Sequence, residues 1–287
     1  MWKIGDVVVR KSYRKDICFM IAAIDSSSGT AVLKGMDVRL IADASLDDLE
    51  AITKEEFDSY RISQFKLENE SLRLVQLRRQ VEREKLGYRS ERKRKSEDFF
   101  ELPGRVLHLD GDGTYLEKCL LTYNKLGIRA VGKNLPEAEM VNFMPKLLNE
   151  YEPDILIITG HDSVLREGKH SEMLRMDQYR NSNNFVQAVR AARRYERSLD
   201  ELIIFAGACQ SHFEALLEAG ANFASSPERI LIHALDPVLV AEKIAFTPIH
   251  ETIDIYELVQ STITGIEGLG GIESRGKYRI GLPRSRF

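Results

Sequence analysis

Short runs of hydrophobic residues, broken by polar ones, fill the first 50 positions of the chain, a pattern typical of β-strands. The runs are KIGDVVVR, ICFMIAAID and AVLKGMDVRLIA, and the turn-forming sequence SSSG separates the last two. Strands this short in so small a segment predict an SH3-like β-barrel over residues 1–52, a common type of binding module. The alternative interpretation is an N-terminal extension that packs on the main domain.

The next stretch, residues 53–100, has a helical pattern instead. Leucines recur through it on an imperfect apolar stripe that is too irregular for a sustained coiled coil. Five basic residues are concentrated in residues 89–95, where the solvated face of a linker is a better explanation than a nucleic-acid site. We therefore predict a charged helical linker for this stretch.

From residue 101 to residue 287, strand patterns alternate with helical patterns. The strands read as unbroken apolar runs, such as ILIIT, LIIFA and ILIH. Such strands are typical of a parallel sheet with helices on both faces, so we predict an α/β domain over residues 101–287. Ligands and catalytic groups lie at the carboxyl ends of the strands in such sheets. Those ends here carry Asp110, His161 and Cys209.

Charge and composition exclude several classes of function. The 287 residues contain 41 basic and 44 acidic side chains, so no net positive field favours nucleic acid or an anionic membrane surface. The chain has no run of 18 apolar residues, and its first residues lack the apolar core of a signal peptide. The three cysteines form no CxxC pair, which argues against a disulfide framework or a zinc site. We expect an intracellular protein without metal, cofactor or membrane span, and leave its oligomeric state open.

Two of the strand ends carry residues suited to nucleophilic catalysis. His161 follows ILIITG and Cys209 follows LIIFAGA, so the two are predicted on adjacent parallel strands, about 5 Å apart in the sheet. Cys209 is also expected to precede a helix, whose N-terminus would lower the pKa of its thiol. His212 is a second candidate base. A lone cysteine or histidine is usually a packing residue, but the two together favour a catalytic dyad of Cys209 and His161.

The sequence DGDGT, which contains Asp110 and Asp112, supports a competing function. An apolar strand followed by this sequence resembles the nucleophile motif of haloacid-dehalogenase-type phosphatases. Such an enzyme also needs an acidic pair on a later strand to hold Mg²⁺, and the later strand ends supply only Asp236. A Mg²⁺-dependent phosphatase using Asp110 and Asp112 is therefore the alternative function. Helix N-capping by Asp112 or Thr114 is the simplest interpretation of this sequence.

The apolar blocks that end in GH and in AC, about 50 residues apart, are similar to the active-site strands of caspase-like cysteine peptidases. A closer resemblance covers essentially the whole chain. Its motifs are, in order, KIGDVVVRKSY, PGRVLHLDGD, PDILIITGHD, FAGACQSHFE, AGANFASSP, IHALDPV and GLGGIE. These motifs resemble the YabG family of sporulation-specific peptidases from endospore-forming Firmicutes.

The resemblance implies a cysteine endopeptidase with catalytic His161 and Cys209 in a caspase-like parallel sheet. Its substrates would be spore coat and cortex-associated proteins, cleaved after basic residues and arginine in particular. It would act in the cytoplasm of the sporulating cell or at the spore coat.

A preference for arginine requires a carboxylate that can meet the guanidinium group. Asp236 follows the predicted strand RILIHAL at the same sheet edge as Cys209, and Asp162 adjoins the candidate base. We predict Asp236 first and Asp162 second as substrate-binding residues.

Overall fold

A computed structural model describes residues 2–90, 100–165 and 174–283 of the chain. Its first part is an antiparallel sheet in the order β4-β3-β2-β1-β5. The strands are β1 (Val7–Arg10), β2 (Phe19–Asp25), β3 (Thr30–Gly35), β4 (Ile41–Ser45) and β5 (Leu49–Ala51). Val8, Phe19 and Leu33 are buried in the core of this sheet. The short N-terminal strands that the hydrophobic pattern predicts are therefore confirmed.

The third of those predicted strands is divided in two. The run AVLKGMDVRLIA forms β3 and β4, with residues 36–40 as a loop between them. Gly35 favours the bend, because a Cβ atom at this position would lie 2.6 Å from the carbonyl oxygen of Val38. Loop 36–40 pairs with a distant part of the chain instead, since Val38 forms an antiparallel bridge with His233.

A long helix, α1 (Lys54–Ser90), follows the N-terminal sheet. A capping box starts it, in which Thr53 Oγ1 accepts from the backbone N–H of Glu56 and the Glu56 carboxylate accepts from the backbone N–H of Thr53. The predicted helix is thus confirmed as far as Ser90. The part of the basic run 89–95 that comes after Ser90 lies outside the described residues.

The C-terminal part is built on a six-stranded sheet in the order β12-β11-β10-β9-β7-β8. Its strands are β7 (Val106–Asp110), β8 (Ala130–Asn134), β9 (Ile155–Thr159), β10 (Ile203–Ala206), β11 (Phe223–Ser225) and β12 (Leu269–Gly271). β12 is antiparallel to its neighbour, and the other pairs are parallel. Two short strands, β6 (Phe100–Leu102) and β13 (Arg279–Gly281), pair separately. The predicted mixed α/β class and the predicted adjacency of β9 and β10 are confirmed.

Helices cover both faces of the large sheet. They are α2 (Gly113–Lys125), α3 (Met140–Tyr151), α4 (Ser182–Tyr195), α5 (Phe213–Glu218), α6 (Asp236–Phe246) and α7 (Ile255–Gln260). Along β9, Ile155 and Ile157 belong to a core with α2, α6 and α7, whereas Leu156 and Ile158 belong to a core with α3, α4 and α5. Burial on both sides explains the unbroken apolar sequence of β9. Over the described ranges, no helix is both long enough and apolar enough to cross a bilayer.

One predicted strand is wrong. The run RILIHAL is not a strand of the sheet. On the side away from β9, β10 pairs in parallel with β11, which precedes that run in the chain. Ile232 is instead buried among the core side chains of the N-terminal sheet, and its carbonyl oxygen accepts from the backbone N–H of Arg39 at 3.2 Å. The apolar character of this run therefore reflects a contact between the two parts of the chain. Asp236, which follows it, begins α6.

Candidate active site

The carboxyl ends of three neighbouring strands bring the candidate chemical groups to one edge of the large sheet. Asp110 is the last residue of β7, His161 lies two residues beyond β9, and Cys209 lies three residues beyond β10. Gly207 makes the turn after β10 with a φ of +116°, a conformation that favours glycine. These side chains therefore lie where parallel sheets bind their ligands.

His161 is held in one orientation by a carboxylate. Its Nε2 lies 2.8 Å from Oδ2 of Asp112, and its backbone N–H donates to the Glu137 carboxylate at 2.8 Å. Because an ionised carboxylate can only accept, Nε2 carries the proton. The Nδ1 atom of His161 is buried and has no hydrogen-bond partner among the described residues. That nitrogen is consequently free to act as a base.

Asp112 connects His161 to the start of α2 and to the N-terminal sheet. Its Oδ1 accepts from the backbone N–H groups of Thr114 at 2.8 Å and Tyr115 at 3.2 Å, which caps α2. Lys34 of β3 donates to the same carboxylate at 2.7 Å. Burial acts to raise the pKa of Asp112, but the hydrogen bonds from His161 and Lys34 outweigh it and hold this pKa well below its usual range. Asp112 therefore stays ionised and can stabilise a protonated His161.

Cys209 is fully buried in this structure. Its Sγ accepts from the backbone N–H of Ile232 at 3.2 Å. Burial raises the pKa of the thiol to about 12. The expected helix N-terminus beside Cys209 is wrong, because α5 begins four residues further on, at Phe213. The thiol is thus neutral and shielded from solvent in this structure.

A groove of about 720 Å³ lies beside these residues. Leu40 and its neighbours in β4 line one wall, while residues 163–165 and Gln210 line another. These last residues directly follow the His161 and Cys209 turns. A groove of this volume is within the range of ligand-binding clefts in proteins.

Comparisons with known proteins assign the chain to a family. The family model described as YabG peptidase U57 matches residues 3–283. The sporulation-specific protease YabG of Bacillus subtilis (strain 168) is 46% identical to the chain over 286 residues, which cover 98% of each protein. The chain belongs to the YabG peptidase family. The resemblance inferred from the ordered motifs is therefore confirmed.

The family match gives no support to the phosphatase alternative, and the two aspartates have other partners. Asp110 Oδ2 accepts from Arg39 Nη1 at 2.6 Å and from Thr159 Oγ1 at 2.9 Å. Asp112 is the N-cap of α2, as the simplest interpretation of the motif predicts. In the part of the chain that the structure describes, one group of side chains has metal-binding spacing, and it contains neither aspartate. Its members are Asp37, Glu68 and His233.

Asp162 braces the turn after β9 in this YabG-family peptidase. Its buried carboxylate accepts from the backbone N–H of Asn181 at 2.8 Å, from Ser211 Oγ at 3.0 Å and from the hydroxyl of Ser182. Burial raises the pKa of Asp162. The carboxylate thereby ties the turn that carries His161 to the start of α4 and to the turn after Cys209. A role for Asp162 in substrate binding stays a prediction.

Asp236 is fully buried at the start of α6. Its Oδ1 accepts from the backbone N–H of Ile263 at 2.7 Å, and its Oδ2 accepts from the backbone N–H of His233 at 3.1 Å and from the hydroxyl of Thr264. Burial raises the pKa of Asp236 to about 6. The carboxylate joins the segment before α6 to the turn after α7. Substrate binding by Asp236 stays a prediction.

His212, the second candidate base, caps a helix. Its Nδ1 accepts from the backbone N–H of Ala215 at 3.4 Å, which makes it the N-cap of α5. Its Nε2 lies 3.1 Å from the carbonyl oxygen of Leu174. Both ring nitrogens of His212 therefore have partners, whereas the Nδ1 of His161 has none among the residues that the structure describes.

Three residues of the site have no counterpart in the predictions from sequence: Lys34, Arg39 and Glu137. Lys34 and Arg39 come from the N-terminal sheet, and no local pattern connects that sheet to strand ends far along the chain. For Glu137 a signal was available in Gly160, because a side chain at that position would collide with the Glu137 carboxylate.

Proposed function

We propose that the chain is a sporulation-specific cysteine endopeptidase in which Cys209 is the nucleophile and His161 is the general base and acid. The observation that carries the proposal is the parallel pairing of β9 and β10, which brings both residues to one sheet edge, where His161 Nδ1 has no hydrogen-bond partner within the described ranges. Membership of the YabG peptidase family supports peptide-bond hydrolysis. The name of the Bacillus subtilis relative, a sporulation-specific protease, supports the cellular setting.

The chemistry follows from these positions. His161 Nδ1 takes the proton of the Cys209 thiol, and the thiolate attacks the carbonyl carbon of the scissile peptide bond. His161 then gives that proton to the leaving amine as the C–N bond breaks, and a thioester remains on Cys209. Water attacks the thioester, again with His161 as the base, and releases the new carboxyl group and the thiol. Asp112 holds Nε2 and stabilises the imidazolium form, and the backbone N–H of Cys209 binds the oxyanion.

The proposal extends to the organisation of the chain. Residues 101–287 would be a caspase-like peptidase domain, residues 1–52 an SH3-like module and residues 53–100 the helical linker between them. The order of neighbouring strands at the dyad supports the first assignment, and the five antiparallel strands support the second. The N-terminal module and linker would position large substrates rather than perform chemistry.

The proposed substrates are spore coat and cortex-associated proteins, cleaved after basic residues and arginine in particular. The enzyme would act in the cytoplasm of the sporulating cell or at the spore coat. Neither a metal nor a cofactor enters the proposed reaction, because the thiol, the imidazole and water account for every proton and bond.

The test compares cleavage of a coat-protein extract and of an arginine-containing peptide by the wild-type chain, Cys209→Ala and His161→Ala. Each variant should lose at least about 1,000-fold in kcat/KM, because each lacks a group that touches the reacting atoms. Cys18→Ala is the matched control, since it removes another buried thiol and should keep the wild-type rate. Near-normal cleavage by a Cys209→Ala chain that folds, as judged by circular dichroism, would refute the assignment.

A further inference from the structure

The side chain of Arg39 is fully buried at the sheet edge that carries the proposed dyad. Its Nη1 donates to Asp110 Oδ2 at 2.6 Å. Its Nη2 donates to the carbonyl oxygen of Ala234 at 3.2 Å and lies 3.4 Å from the sulfur of Cys119. Arginine is almost never fully buried unless it is paired. The N-terminal sheet thus inserts a charged side chain into a pocket of the C-terminal part.

The acid of this pocket is held in place by its own part of the chain. The Asp110 carboxylate accepts from the Thr159 hydroxyl at 2.9 Å and from the backbone N–H of Asp112 at 2.9 Å. Burial acts to raise the pKa of Asp110, but the charge of Arg39 outweighs it and keeps this pKa well below its usual range. The Asp110 pocket is therefore a fixed hydrogen-bond acceptor for a guanidinium group. It leaves one N–H donor of Arg39, at Nε, without a partner among the described residues.

The backbone of loop 36–40 is arranged like a bound peptide. Val38 and His233 form an antiparallel bridge, and the backbone N–H of Ala234 donates to the carbonyl oxygen of Asp37 at 2.8 Å. Pairing of an extended segment with a protein backbone is a common mode of peptide recognition. The loop therefore lies along the segment after β11 as a short added strand.

The paired backbone of loop 36–40 and the segment around His233 lies next to Cys209, the proposed nucleophile. The backbone N–H of Arg39 donates to the carbonyl oxygen of Ile232 at 3.2 Å, and the backbone N–H of Ile232 donates to the Cys209 sulfur at 3.2 Å. The backbone N–H of Arg39 also acts to lower the pKa of the Cys209 thiol, but burial outweighs this effect. The residue whose side chain enters the acidic pocket is thus the residue whose backbone lies against the thiol.

We infer that Asp110 is the carboxylate that selects a basic side chain of the substrate, and that loop 36–40, with Arg39 in the Asp110 pocket, occupies the substrate cleft in the resting chain. The inference rests on the proposed function, since Asp110 and the loop belong to the same site. An ion pair that merely joins the two parts of the chain is the competing interpretation. Loss of an occupant opens the cleft, whereas loss of a structural ion pair only weakens the fold.

The first experiment tests the pocket with two peptides that differ only in having arginine or citrulline before the scissile bond. Citrulline keeps the shape of arginine and lacks its charge. The wild-type chain should prefer the arginine peptide by about 100-fold or more in kcat/KM, because a site built to bind a polar group rejects the analogue that lacks it. Asp110→Asn should reduce this preference to about 5-fold or less. An unchanged preference in a folded Asp110→Asn chain would overturn the assignment.

The second experiment tests the occupant by alkylation with iodoacetamide, located by peptide mass mapping. Arg39→Ala should increase the alkylation rate of Cys209 by about 10-fold or more while that of Cys18 stays constant, since only the cleft opens. Arg61→Ala removes an exposed arginine of α1 and should keep wild-type rates. Arg39→Lys, which keeps the charge but has fewer donors, should give a smaller increase and retain the fold.

The outcomes separate the two levels of the proposal. A lower melting temperature of Arg39→Ala with unchanged alkylation of Cys209 would identify a structural ion pair and overturn the inference. Equal increases in the alkylation rates of Cys18 and Cys209 in Arg39→Ala would indicate general unfolding. The Arg39→Lys variant then decides, because an alkylation rate of Cys209 that rises no more than that of Cys18 overturns the inference that loop 36–40 occupies the cleft. Cleavage that survives in Cys209→Ala refutes the proposed function itself, whereas Cys209-dependent cleavage without a role for Asp110 refutes only the present inference.

Discussion

Asp112 combines two tasks that substitution can separate. Its Oδ1 caps α2, and its Oδ2 holds His161 Nε2 at 2.8 Å. Asparagine is as good an N-cap as aspartate, so Asp112→Asn keeps the cap and loses the charge, whereas Asp112→Ala loses both. A charge-assisted hydrogen bond contributes about 1.5–3 kcal/mol, and an N-cap contributes about 1 kcal/mol. We expect the free energy of unfolding to fall by about 2 kcal/mol in Asp112→Asn and about 3 kcal/mol in Asp112→Ala.

Activity should not follow this order. Both variants lose the acceptor that fixes the proton of His161 on Nε2, so kcat should fall by about 1,000-fold or more in each. The measurements are urea unfolding and kcat for an arginine peptide. Asp254→Ala is the matched control, because Asp254 caps α7 and has no part in the proposed dyad, so its loss should cost about 1 kcal/mol with no change in kcat. Retention of more than about a tenth of the activity in Asp112→Asn would refute the orienting role of the carboxylate.

Two further predictions concern stability. Glu242 of α6 is fully buried and accepts from Arg78 and Arg79 of α1, so Glu242→Gln should lower the free energy of unfolding by about 3 kcal/mol, because a broken buried pair leaves charges uncompensated. Glu82→Gln, which removes a more exposed partner of Arg78, should cost less than about 1 kcal/mol, and equal losses in the two variants would contradict this interpretation. For Asp236, burial places the folded-state pKa at about 6, above the ordinary 3.8, so the folded chain binds more protons between these values and loses stability as pH rises through 6. Urea unfolding at pH 4 and pH 7 should show the difference between Asp236→Asn and wild type shifting by about 2 kcal/mol in favour of the variant, and an unchanged difference would argue against a buried carboxylate that ionises.

The hydrophobic pattern was sufficient to predict β9 and β10, the two strands whose ends carry the proposed dyad. β9 and β10 are buried on both faces, and that environment demands uninterrupted apolar residues, which a single sequence displays. The run RILIHAL shows where this reasoning stops. Its residues are equally apolar, but Ile232 is buried by the N-terminal sheet and not by sheet neighbours. An apolar run reports burial without identifying what buries it.

The contacts by which the N-terminal sheet covers the candidate site could not be predicted from the sequence, for a different reason. Arg39 meets Asp110 across 71 positions of sequence, and Lys34 meets Asp112 across 78. Neither basic residue has a spacing that marks it, because long-range ion pairs impose no periodicity on either partner. The direction of the pKa shift at Cys209 could not be predicted for the same reason. The prediction of a lowered pKa used a local feature, a helix N-terminus expected next to Cys209. The burial that raises the pKa comes from the N-terminal sheet, which is distant in sequence.

Loop 36–40 belongs to the same chain as the cleft in which it lies. It therefore competes with substrates as a tethered segment. A segment tethered by a short connection behaves like a free ligand at an effective concentration in the millimolar range. A peptide whose basic residue binds the cleft with the same intrinsic affinity as the loop must therefore reach comparable concentrations before it fills half of the clefts. A large protein that also binds a second surface of the chain holds its cleavable segment near the cleft at a similarly high effective concentration. That segment can then displace loop 36–40. Selection of substrates would thus depend on how many surfaces they engage as well as on the residue that precedes the cleaved bond.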